Sequence, residues 1–146
     1  MKKSTGAWRK KERGQSLVEL SIGFVAMMTL LAGILDFGRV YYTFLALQNA
    51  AQEGASYVCA FPSCLNSTDC ADPNNGTYRA QNESETGLID WSSSTVAFSP
   101  TEPVQGDILT MSLTHKHQLM APFISALAPN GFLITGTASC RVIGTP

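Results

Sequence analysis

The chain has 146 residues, ten basic and eleven acidic, for a net charge of −1 at neutral pH. That length fits one small domain plus an anchor and leaves little room for a second domain. Six of the ten basic residues lie within the first fourteen positions, and the remainder is mildly acidic, which argues against a nucleic-acid partner for the folded part.

Residues 1–14 read as a basic leader: Lys2, Lys3, Arg9, Lys10, Lys11 and Arg13 stand against Glu12 alone. An apolar run follows from Leu17 to Leu35, interrupted by a single charge, Glu19. At 1.5 Å per residue it covers roughly 29 Å, about one hydrocarbon core. Positive charge before the run predicts a single-pass orientation, N-terminus in the cytoplasm and the rest outside. The run is too long for an ordinary secretory signal and lacks a good small-residue cleavage site after it, so retention is expected over release of a secreted domain.

Helical periodicity continues past Leu35. Apolar side chains recur at Phe37, Val40, Phe44, Leu47, Ala51, Ala55 and Val58, and Arg39, Thr43, Asn49, Glu53 and Ser56 fall between them. With no proline until Pro62, residues 15–60 are expected to form one helix, membrane-spanning over 17–35 and amphipathic beyond. Residues 61–146 would form an extracytoplasmic head. Its loop, 61–91, is rich in Asn, Asp, Ser, Pro and Gly, with a short helix expected near Tyr78 to Leu88.

Three alternating stretches follow, at 95–99, 107–115 and 132–142. They place Val96 and Phe98, then Leu109, Met111 and Leu113, then Phe132, Ile134, Ala138, Cys140 and Val142 on inner faces. The fold class expected is α+β, a long helix carrying a small antiparallel sheet of about three strands.

Cys59, Cys64, Cys70 and Cys140 make an even set beyond the apolar run. In an oxidising compartment they read as up to two disulfides, with three pairings open. Their spacings miss the usual zinc knuckle. His115 and His117 share a strand face but lack an evident third ligand, and read as a solvated strand end. Asp69, Asp72, Asn74 and Asn75 miss the EF-hand spacing and read as loop polarity. The triplets beginning at Asn66, Asn75 and Asn82 read as chance matches to a glycosylation signal. Asp36 and Arg39 read as an i,i+3 pair. No catalytic set, cofactor motif or metal site is expected, and an enzyme is not the expected class.

The stretch Arg13-Gly14-Gln15-Ser16-Leu17-Val18-Glu19-Leu20 carries the chemistry. A small residue after a basic leader gives a protease access to the peptide bond. A carboxylate five residues into the product costs about 2.5–3.5 kcal/mol at a helix centre in lipid, less near an interface, so it calls for a partner. Cleavage before Gln15 creates one, the new ammonium of a neighbouring subunit.

These residues resemble the type IV pilin and pseudopilin precursor signature. More narrowly, with G-I-L-D-F-G-R-V-Y-Y and L-Q-N-A-A-Q-E-G-A-S-Y-V following, the chain resembles the TadE-like minor pseudopilins of tight-adherence (Flp-type) systems. The resemblance implies processing at Gly14–Gln15 by a prepilin peptidase. It further implies assembly through Glu19 with other pilin subunits, an inner-membrane platform and a secretion ATPase. The proline common a few residues into the apolar run is replaced here by Ser21-Ile22-Gly23-Phe24, which implies an unkinked helix. The contrasting reading is an uncleaved, signal-anchored binding module that never polymerises.

Overall fold

The computed structural model describes residues 9–84, 87, 89–120 and 130–145. Helix α1, Arg9–Ala60, is followed by α2, Gly76–Glu83, a short 3-10 turn at Trp91–Ser93, and strands β1 (Thr95–Ser99), β2 (Ile108–His117) and β3 (Phe132–Arg141). The sheet is antiparallel throughout, in the order β1-β2-β3, and lies on the second half of α1. This is the α+β architecture expected. The short helix lies earlier than read, and position 88 falls outside the described residues, as do residues 1–8 of the leader.

Alternation explains the sheet. Leu109, Met111 and Leu113 of β2 are fully buried, and Thr110, Ser112 and Thr114 take the outer face. Thr110 pairs with Ser139 and Thr114 with Thr135 by hydroxyl contacts across the β2–β3 ladder. Past β3 the chain still bonds to the hairpin: Val142 N–H donates to Asp107, and Gly106 N–H donates to Val142.

The core lies between this sheet and the helix stripe Leu47, Ala50, Ala51, Ala55 and Val58. The small alanines allow close approach. At Gly136 it is closest: a Cβ there would stand 2.5 Å from the Leu47 carbonyl carbon. Gln48 Oε1 meets the Thr137 N–H of β3 from the same stretch of helix, at 2.6 Å. Gly131 turns the chain into β3 with φ +70°.

The helix stripe differs from the expected one nearer the exposed apolar half of α1. Phe37 and Phe44 point to the exterior, while Asp36 and Thr43 are buried. The buried positions 36, 43, 47, 50, 54 and 58 follow a regular helical face, with polar members that have bonding partners inside the head. Ranking by hydrophobicity alone chose the neighbouring face. Phe132 is also half-exposed despite its inner-face parity, because it begins β3 at the end of the sheet.

The C-terminus closes the helix end. Ile143 and Gly144 N–H groups both donate to the Cys59 carbonyl, satisfying an acceptor that the helix leaves open. Asn75 caps α2: its side-chain oxygen accepts from Tyr78 N–H at 2.8 Å, and its amide donates to the Cys70 carbonyl and to Asp72. The Arg79 guanidinium lies 5.1 Å from the Tyr57 ring centroid, joining α2 to α1. Asn75 is therefore a buried structural residue, not a surface glycosylation acceptor.

Candidate assembly helix and head base

From Gly14 to Leu31 every residue of α1 is exposed, and the head covers none of it. The surface is apolar: Leu17, Leu20, Ile22, Phe24, Leu30, Ile34 and Leu35 all present large side chains outward. The hydroxyls within it fold back on the helix. Ser21 donates to the Val18 carbonyl at 2.8 Å and Thr29 to the Val25 carbonyl at 2.9 Å, hiding polar hydrogens from an apolar surrounding. This is one helix long and apolar enough to cross a membrane.

Gly14, Gln15 and Glu19 all lie on this exposed portion. The helix runs through Gly14 and begins at Arg9, six residues before the expected start at 15. Glu19 lies on a face with Ser16, Leu20, Gly23, Phe24 and Met27, which line a groove of ≈ 460 Å³. The missing side chain at Gly23, one turn after Glu19, leaves the notch.

The four cysteines form two bridges. Cys59 at the end of α1 bonds Cys140 at the end of β3, and Cys64 bonds Cys70 in the following loop. Of the three open pairings, this one fixes the far end of the sheet to the helix. Asp72 bonds to Asn75, and no group of three or more metal-ligating side chains occurs among the described residues.

At the end of the head nearest the exposed apolar half of α1, polar side chains gather on the inner face. Asp36 Oδ1 accepts from the Met120 N–H at 3.3 Å, and the Arg39 guanidinium meets the Met120 sulfur. Thr43 Oγ1 donates to the Arg39 carbonyl at 2.9 Å and lies 3.5 Å from His117 Nδ1. His115 Nδ1 lies 3.0 Å from Ser94 Oγ. His115 and His117 are therefore buried, not solvated as the sequence reading had it. They continue the inward parity of Leu109, Met111 and Leu113, a signal that was available in the sequence. Arg39, Asp90, His115, His117 and Met120 border a cleft of ≈ 520 Å³.

Burial lowers the pKa of both imidazoles. For His117 the charges of Arg39 and His115 lower it further, against a smaller upward pull from Asp36. For His115 the nearby Asp90 partly opposes the burial. Asp90 itself is held below the usual carboxylate range, first by the hydroxyl and then by the backbone N–H of Ser92. The geometry is that of a satisfied polar junction between helix and sheet.

Residues 14–56 match the family model described as TadE-like protein. No curated protein matches, and no solved structure matches. The match covers α1 from Gly14 to Ser56 and so includes both the exposed apolar half and most of the helix stripe that holds the sheet.

Proposed function

We propose that this chain is a minor pilin of a tight-adherence pilus, made as a precursor and assembled through its N-terminal helix. The observation that carries the reading is the exposed apolar surface of α1, with a single carboxylate at Glu19, inside a segment that matches the TadE-like family. A soluble domain of this size has no use for such a surface. A subunit that begins in lipid and ends in a helical bundle does.

On this reading residues 1–14 are a cytoplasmic leader, residues 15–60 the mature helix and residues 61–146 an extracytoplasmic head. A prepilin peptidase hydrolyses the Gly14–Gln15 bond and frees the ammonium of Gln15. Glu19 of one subunit then pairs with that ammonium on another pilin, which relieves two unmatched charges and fixes the axial offset between helices. The inner-membrane platform and the secretion ATPase supply the extraction of the helix from lipid. The chain's own role is structural.

A second reading keeps the leader and makes the chain a single-pass anchored binding module. It is favoured by the continuity of α1 through Gly14, which presents no break at the cleavage position. The N-terminal mass after co-expression with a prepilin peptidase separates the two. A product beginning at Gln15 is expected, and a product that retains Met1 would overturn the pilin reading.

A further inference from the structure

The exposed face of α1 changes character at one level. From Leu20 through Leu45 its exposed large side chains are apolar or aromatic, ending in Phe37, Tyr41, Tyr42, Phe44 and Leu45. Beyond Leu45 the exposed helix residues are Asn49, Gln52, Glu53 and Ser56. From Leu17 to Leu45 is about 42 Å along a helix, and a bilayer with its headgroup layers is about 40–45 Å thick. The aromatic end of the run, with two tyrosines, suits the water-facing boundary, where rings with a polar tip concentrate.

The head does not begin above that level. Met120 bonds Asp36 and borders a pocket with Ala32, Leu35 and Arg39, so it lies beside the last turns of the hydrocarbon-length run. Phe132 is the cross-strand partner of His117, whose ring reaches Thr43, two residues short of the change. These head residues are outward and apolar: Met120 is 71% exposed, Leu133 74% and Phe132 49%. Lys116, the cross-strand partner of Leu133, is exposed beside them. Of the two nearby carboxylates, Asp36 is buried against the Met120 amide, and Asp90, which borders the same cleft as Met120 and Lys116, is exposed and bonded to Ser92.

We infer that the base of the head is a lipid-contact collar: Met120, Phe132 and Leu133, with Phe37, Tyr41 and Tyr42 of the helix, enter the outer headgroup layer of a phospholipid bilayer. Lys116 and Arg39 carry the cations that suit phosphate groups at that depth. The occupant is lipid because Met120 borders Ala32 and Leu35 of the spanning helix, which sets the base of the head against the apolar run itself. The collar also stops the helix from sliding inward, and so fixes the depth at which Gly14 meets the cytoplasmic face. It rests on the spanning role of α1 and is independent of cleavage and of polymerisation.

The test uses the full chain in phosphatidylcholine–phosphatidylglycerol vesicles, without peptidase or other pilins. Trp8→Phe and Trp91→Phe remove the native indoles, and single tryptophans are placed at Met120, Leu133, Leu30 and Ile143. Disulfide-intact mass confirms each fold. A lipid carrying a nitroxide on its headgroup should extinguish most of the emission of Met120→Trp and Leu133→Trp and leave Ile143→Trp bright. Lipids brominated in the acyl chains should quench Leu30→Trp. Probes at 120 and 133 as bright as the one at 143 would assign the patch to a protein neighbour and overturn the collar, with the spanning helix still standing. A bright probe at 30 would overturn both.

Discussion

Cys59 and Cys140 stand 81 residues apart in the chain and 6.3 Å apart between Cα atoms, joined by a disulfide that locks the end of α1 to the end of β3. The Cys59 carbonyl, at the same point, accepts from Ile143 and Gly144. Covalent and hydrogen-bonded closure thus converge where the helix stops. The Cys64–Cys70 bridge spans 6 residues and closes only its own loop.

Chain entropy ranks the two bridges. A loop of the larger size restrains the unfolded chain by about 4.5 kcal/mol, and one of the smaller size by about 2 kcal/mol. Replacing Cys59 and Cys140 with alanine should therefore lower denaturant stability by about twice as much as replacing Cys64 and Cys70. Chemical unfolding of the head in detergent, followed by far-UV circular dichroism, checks this. Equal losses from the two double variants would show that the long bridge does not act by loop closure.

Glycines divide into two kinds. Gly136 faces the Leu47 backbone, and a methyl group there must push sheet and helix apart. Gly136→Ala is expected to cost about 1–3 kcal/mol as overpacking. Gly14 meets nothing within 4 Å, so Gly14→Ala leaves packing intact. Under the pilin reading it nonetheless slows leader removal, because the added methyl group narrows the access that glycine gives to the bond. Unfolding midpoints for the first variant and N-terminal mass for the second are the measurements. Normal cleavage of Gly14→Ala would count against the proposed processing.

Much of this arrangement is legible in the sequence, and the misses share a cause. Alternation alone identifies the inner faces at Leu109, Met111 and Leu113, and the long apolar run identifies the exposed helix half. Phe37 and Phe44 were assigned to the core because hydrophobicity ranks them above Asp36 and Thr43. On the anchored reading proposed above that ranking inverts: beside lipid the aromatic rings go outward, and the polar groups turn inward to Met120, Arg39 and His117. The same inversion hides the histidines, whose parity was plain but whose polarity suggested solvent. The disulfide pairing depends on which strand end meets which helix end, a long-range relation that spacing does not encode.

Acidification should destabilise the head. His115 and His117 have folded-state pKa values below the ordinary histidine value of 6.5, chiefly through burial. The unfolded chain therefore binds more protons as pH falls below about 6.5, and their contribution is full above that value and lost as pH falls through the folded pKa. Asp36, Arg39 and Asp90 are the charged groups beside them. Thermal midpoints should be flat from pH 8 to pH 7 and drop from about pH 6.5 downward. The double variant His115→Gln, His117→Gln should show a shallower drop across the same window. An unchanged slope would place the sensitivity elsewhere.

Glu19 separates assembly from stability. It lies on the exposed half of α1, beside the Gly23 notch and remote from the sheet, so Glu19→Ala should leave head unfolding unchanged. Cleavage at Gly14 should also continue, because the leader and the small residue before the cut are intact. What should fail is entry into filaments: without the carboxylate, the Gln15 ammonium of a neighbour has no counter-charge in an apolar bundle and the axial offset loses its anchor. Glu19→Gln keeps the shape and a hydrogen-bond acceptor but not the charge, and should fail nearly as badly, which isolates electrostatics from packing. Glu19→Asp keeps the charge on a shorter stem and should recover part of the incorporation. Immunoblots of sheared filaments against membrane fractions read all three. Wild-type incorporation by the glutamine variant would remove charge pairing as the assembly mechanism while leaving the helix, its exposure and its cleavage untouched.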